Sequence, residues 1–279
     1  MPNVPINSIC LQVNKWTDPK TPDWPLIELL PKIKTAGFSE VEAWGPHLTV
    51  LDAEGVSALA TALDASGLEI PSVGAYIPIR TGQPLEQFWS AAGAYLTLCT
   101  DLGISMLRVF AGGISGADAS GDDWHYATKL LATYSQEAAY RNVTVVAETH
   151  GKTLADTVEG ALRLIESVNH LNFKLLFQSY DFGTETTLAQ WEALKEHVTH
   201  VHLQNRDENG GFRPLADGTL DYATLIGQMA ADGYAGDMVV EFTADCAPAD
   251  AAAYDLEKVL AGAASDRQFA LKCWEAAGG

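Results

Sequence analysis

Positive charge is scarce in this chain. Its 279 residues include 17 Lys and Arg against 36 Asp and Glu, a net charge of −19. Such a chain repels a phosphate backbone, which excludes sequence-independent DNA or RNA binding. It also argues against docking on an anionic membrane. Cysteine is sparse as well. Cys10, Cys99, Cys246 and Cys273 show neither CxxC pairs nor zinc-finger spacing. They read as reduced, buried thiols of a cytoplasmic protein. No apolar run approaches the roughly 18 residues of a membrane span. The first residues, MPNVPINSICLQVNKW, lack a basic n-region and a long apolar stretch, so no signal peptide is expected. No glycine-rich nucleotide loop follows the first strand, where LQVNKWTDP stands. No linker, charge block or low-complexity segment divides the chain.

What is present is a repeat of strand and helix. Hydrophobic residues make up 47% of the chain, enough for a large core. The phrases TAGFSEVEAW, ASGLEIPSVGAY, DLGISMLRVF and ADGYAGDMVVEF each carry a glycine between a helix-like stretch and an apolar strand. Gly37, Gly67, Gly103 and Gly233 then fall where a helix ends in a positive φ. Strands are expected near 6–13, 39–43, 69–76, 104–110, 143–149, 173–178, 199–204 and 237–242, with helices between them. Thr153 is read as the N-cap of a helix over 153–167, Pro84 as the first position of 84–102, and Asp221 as the N-cap of 222–232. A last helix over about 249–261 closes the ring and leaves 262–279 as a helical tail. VTVVAE, FKLLF and DMVVEF are continuous apolar runs, as strands buried on both faces should be. The fold class is therefore α/β, a single (β/α)8 barrel with a closed parallel sheet. One domain is expected over 1–279, with its core at 6–261. A flat doubly wound sheet is the runner-up. The loop 204–221 is long and polar, which marks it as functional.

Four of the strands end in a polar residue: VVAET with Glu148, KLLFQ with Gln178, HVHLQ with His202 and MVVEF with Glu241. At the ends of successive parallel strands these residues converge, which is the geometry of a divalent-metal site at a barrel mouth. AETHG at 147–151, HVHLQNRD at 200–207, PLADGTLDY at 214–222 and VVEFT at 239–243 resemble the xylose isomerase-like barrels. That superfamily holds sugar isomerases and epimerases, an inosose dehydratase, hydroxypyruvate isomerase and an endonuclease of abasic sites. The resemblance runs from about 6 to 261. It places the metal on Glu148, Gln178, His202 and Glu241. Gln178 stands where the family has aspartate, so the set carries less charge.

Glu148 and Glu241 are the acid–base pair that proton transfer beside a carbonyl requires. His150 and Arg206 are expected to touch substrate, whereas His200 reads as structural. Asp181 stands where many relatives have histidine, and either binds a hydroxyl or caps a turn. Arg206 binds a hydroxyl or carboxylate, or else pairs with Asp207. Glu42 and Arg108 form a pair that is structural or substrate-binding. Trp16, Trp44, Tyr76 and Phe110 lie near strand ends and either stack on a sugar or pack the core. The resemblance implies an isomerase or epimerase of an unphosphorylated sugar or keto-sugar. Its cofactor would be Mn2+ first, with Mg2+, Co2+ or Zn2+ as alternatives. A keto-sugar or inosose lyase on the same site is the runner-up, and a non-catalytic sugar-binding subunit the third reading. Relatives are often dimers or tetramers, so a homo-oligomer is expected by analogy.

Overall fold

A computed structural model describes all residues 1–279. Eight strands close into a ring: β1 Ile6–Asn7, β2 Val41–Trp44, β3 Ser72–Gly74, β4 Met106–Val109, β5 Thr144–Glu148, β6 Phe173–Phe177, β7 Val198–Leu203 and β10 Asp237–Val240. The order is β1-β10-β7-β6-β5-β4-β3-β2. β4 runs parallel to β5, Arg108 opposite Val146, and β5 to β6, Glu148 opposite Leu176. Helices α1 Leu26–Thr35, α2 Gly45–Thr49, α3 Ala53–Ser66, α4 Leu85–Leu102, α5 Gly121–Ala139, α6 Val158–Val168, α7 Thr184–Leu194, α8 Tyr222–Ala231 and α9 Leu256–Ala276 lie between the strands and after the last. This is the (β/α)8 barrel. A short hairpin, β8 Asn205–Arg206 with β9 Phe212–Arg213, fills the long loop after β7.

Contacts group the ring into two compact units. One holds Met1–Ile70, Asp181–Leu188 and Val201–Gly279. Its core includes Ile6, Val41, Val201, Val239 and Trp44. The other holds Pro71–Tyr180 and Ala189–His200, with Leu107, Val145, Val146, Leu175 and Tyr134 at its centre.

The glycine joints form as expected: Gly37, Gly67, Gly103 and Gly233 have φ of 94°, 61°, 69° and 72°. Asp221 caps α8 by accepting from Thr224 N at 3.1 Å. Four boundaries depart from expectation. β1 ends at Asn7, because Asn7 Oδ1 accepts from Ile9 N at 2.9 Å and turns Ser8–Leu11 into a buried 3-10 helix. Helix α6 starts one turn late. Thr157, not Thr153, accepts from Gly160 N, while Thr153 Oγ1 donates to His150 O at 2.7 Å. Pro84 is the flanking cap residue of α4 rather than its first helical position. The tail is helical as expected, but the last helix starts at Leu256 rather than 249 and runs without a break to Ala276, burying Val259, Leu260, Ala263, Ala270 and Trp274, a helical spacing.

Candidate metal centre

The first unit carries a buried chain of polar groups. Asn7, the last residue of β1, donates through Nδ2 to Glu42 Oε1 on β2. The same oxygen lies 2.8 Å from His202 Nε2 on β7. His202 Nδ1 lies 3.4 Å from Glu241 Oε1, just past β10. Glu241 Oε2 accepts from Gln204 Nε2 at 2.8 Å, and Gln204 Oε1 accepts from Arg206 Nη2 at 3.1 Å. Glu42, His202, Gln204 and Glu241 are all buried. Burial alone would push the His202 imidazole down. The charges and hydrogen bonds of Glu241 and Glu42 outweigh it and hold the ring well above its ordinary value.

In the second unit, Glu148 ends β5 and its Oε2 lies 3.1 Å from Arg108 Nε on β4. Both are buried. Arg108 thus meets Glu148, and Glu42 meets His202. The Arg108 guanidinium lies 4.2 Å from the centre of the Phe110 ring and 5.3 Å from that of Tyr76. His150 sits in the loop after β5, its ring 4.9 Å from Phe110 and its Nδ1 2.8 Å from Gly151 O.

Two groups of side chains could hold a metal. Glu148, His202 and Glu241 each offer a ligand atom, and these lie within 4.8 Å of one another. Glu42, His200 and His202 form the second such group. Two carboxylates and an imidazole fit a divalent cation such as Mn2+ or Mg2+. His200 is buried, its Nε2 3.5 Å from Ser72 Oγ.

The remaining expected residues are placed as follows. Gln178 follows β6, 9% exposed. Its main chain is locked: its N–H donates to Thr149 Oγ1 at 2.8 Å, and its carbonyl accepts from Thr149 Oγ1 and Gln190 Nε2. Asp181 is exposed, and its Oδ1 accepts from Gly183 N and Thr186 Oγ1, the turn that opens α7. Arg206 does not pair with Asp207, which binds Arg213 at 2.7 Å. The Arg206 guanidinium instead lies over Phe212 at 4.2 Å and donates to Gly210 O. Trp16 is 58% exposed and packs on Phe242 at 5.4 Å, whereas Trp44 is core. Sequence reasoning missed Asn7, Gln204 and Lys15. Lys15 is fully buried and donates to Cys246 O at 2.6 Å. Gln204 stood two residues beyond His202, at the end of the same strand phrase, which was its available signal.

A closed parallel barrel with acids and a histidine gathered at strand ends defines a class. The pattern of the xylose isomerase-like TIM barrel family matches residues 30–261. The chain belongs to that family. It is 25% identical over 214 residues to a 3-dehydroshikimate dehydratase of Bacillus anthracis, covering 68% of this chain and 76% of that protein. A 3-keto-D-glucoside 4-epimerase from E. coli shares its fold, with a TM-score of 0.72 and 18% identity, over 96% of this chain and 100% of that one. So does a xylose isomerase-like TIM barrel protein from Mycobacterium smegmatis in complex with magnesium. Its TM-score is 0.74, at 15% identity, over 100% of this chain and 98% of that one.

Proposed function

We propose that the chain is a divalent-metal-dependent isomerase or epimerase of an unphosphorylated sugar or keto-sugar. One observation carries this: Glu148, His202 and Glu241 present their ligand atoms within 4.8 Å of one another. Two buried carboxylates around one point can bind a cation and still exchange a proton, since each has two oxygens. An ion held there by Glu148, His202 and Glu241 would supply Lewis-acid stabilisation of charge on the substrate oxygens. Glu148 or Glu241 takes the proton beside the carbonyl, and the other returns it. Arg108 holds the Glu148 carboxylate in place, and Gln204 holds that of Glu241. Gln178 is our fourth ligand, and His150, Arg206, Asp181, Arg108 and Glu42 our substrate-facing residues. Manganese is our preferred ion; the magnesium complex of a family neighbour supports a hard divalent cation. We take residues 1–279 as one catalytic domain, cytoplasmic with its free thiols and homo-oligomeric.

The test is turnover of a ketose and keto-sugar panel with manganese in deuterated water. Deuterium should appear at the carbon beside the carbonyl, without change of skeleton. Glu148→Gln and Glu241→Gln together should abolish turnover. Activity within a few-fold of the parent would end the acid–base assignment.

A lyase is the second reading, and a relative in sequence favours it: the chain is 25% identical to the dehydratase of B. anthracis. His150, whose Nδ1–H faces the Gly151 carbonyl, is our candidate for a substrate contact in that reaction too. Loss of water or carbon dioxide, seen as a product mass change, would decide for it.

A further inference from the structure

The loops after β3, β4 and β5, with the start of α5, form a pocket of about 190 Å3 that is open to solvent on one side, where Arg80 and Ile114 are exposed. Ile79, Arg80, Gly113, Ile114, Asp123 and Leu154 line it. Its apolar walls are firm: Ile79 and Leu154 are buried. Its one cation is seated on a glycine. A Cβ built at Gly113 would lie 2.4 Å from Arg80 Nε and 2.7 Å from Nη2, so the guanidinium rests where a side chain would stand.

Arg80 has no acid of its own. None of the ion pairs includes it. The acid on the cavity wall, Asp123, is already engaged. It accepts from Thr81 Oγ1 at 2.6 Å, Ser120 Oγ at 2.6 Å and Ser120 N at 2.9 Å. An arginine without a partner is a notable feature in a chain with 36 acids and 17 bases. A planar guanidinium matches a carboxylate through two parallel hydrogen bonds. A sealed cavity of about 150 Å3 accommodates one benzene ring, so this open pocket has room for a ring-sized body.

We propose that this cavity is a binding site for a small carboxylate with an apolar, ring-sized body, its acid on Arg80 and its body against Ile79, Ile114 and Leu154. It goes beyond the metal centre and does not depend on it. Its wall is shared with the candidate active site, because Leu154 N donates to Ala111 O at 2.8 Å, next to Phe110, whose ring faces His150. The ligand is either the acidic arm of the substrate or a separate acid.

The experiment is calorimetric titration of benzoate and of neutral benzamide into the full chain. The Glu241→Gln protein is used after chelator treatment, so that no metal captures the acid and no activity is read. Benzoate should saturate one site, with benzamide roughly tenfold weaker. Arg80→Gln should bring benzoate down to the benzamide level. Gly113→Ala keeps the charge but displaces the flexible end of Arg80, and should weaken benzoate with the melting temperature unchanged. With a turnover substrate in hand, competitive inhibition by benzoate assigns the cavity to a substrate arm, and noncompetitive inhibition to a separate acid. Equal binding of benzoate and benzamide, benzoate affinity unchanged in Arg80→Gln, or no saturable binding would each overturn the site. Failure here leaves the metal-centre proposal standing.

Discussion

Gly218→Ala should damage the loop after β7 more than any other single methyl added there. A Cβ at Gly218 would lie 2.0 Å from Asn205 Cγ and 2.2 Å from its Oδ1. Asn205 cannot step aside. It is fully buried, and its Nδ2 donates to Leu215 O at 2.9 Å and Leu220 O at 2.8 Å. Its Oδ1 accepts from Arg206 N at 2.9 Å and Leu220 N at 3.2 Å. Expelling the amide would strand several of these buried groups, each costing about 1 kcal/mol or more. Keeping it would force the loop backbone to move. Either route costs roughly 2–4 kcal/mol. Urea denaturation monitored by tryptophan fluorescence measures it. Gly227→Ala is the control. Gly227 lies inside α8 with nothing within 4 Å of its Cβ position, so alanine should stabilise by up to about 1 kcal/mol. If Gly218→Ala matches the parent in midpoint and slope, Asn205 is not the knot that holds this loop.

Two further outcomes are expected. Burial, with help from Asp237 and Glu69, pushes the Glu40 carboxyl up to about 7. A raised acid means the folded chain holds the proton more tightly, so its contribution is present below the unfolded value of 4.5 and is lost as pH rises through about 7. With discount for solvent screening, that loss is about 1 kcal/mol; Glu40→Gln should flatten the decline from pH 5 to 8 in thermal melts, and an unchanged profile would refute it. Gln178→Asp should tighten manganese binding, since divalent affinity tracks ligand charge; an unchanged or lower affinity by calorimetry would remove Gln178 from the first coordination sphere.

Elements governed by local chemistry were legible in the sequence. The four joint glycines sit where a left-handed residue is required, and any chain that turns from helix to strand this way needs them. Strand ends were legible because VVAE, KLLFQ and MVVE switch from apolar to polar within one residue. Competition between equivalent signals was not. Thr153 and Thr157 are both good caps, and the choice fell to the loop, where Thr153 is held by His150 O. Long-range pairing was not legible either. Glu42 finds His202 across 160 positions only because β2 and β7 belong to one closed ring. The helical character of residues 259–274 was legible, but not that the last barrel helix and the tail are one continuous helix.

The charge balance at the strand ends gives the strongest physical reason to expect a cation. In one unit Glu148 is answered by Arg108 at 3.1 Å. In the other, Glu42 and Glu241 flank the His202 imidazole, and Asn7 and Gln204 donate to them through neutral amides. Within that trio of side chains two carboxylates face one imidazole. Isolated buried carboxylates cost several kcal/mol each unless paired or bound to a metal. On the proposed reading, a divalent ion near His202 would balance that trio. Asp266 of α9 is also a buried acid, met by the neutral donors Leu215 N and Thr243 Oγ1, so it is the gathering of two carboxylates on one imidazole, rather than the burial of an acid as such, that marks the strand ends.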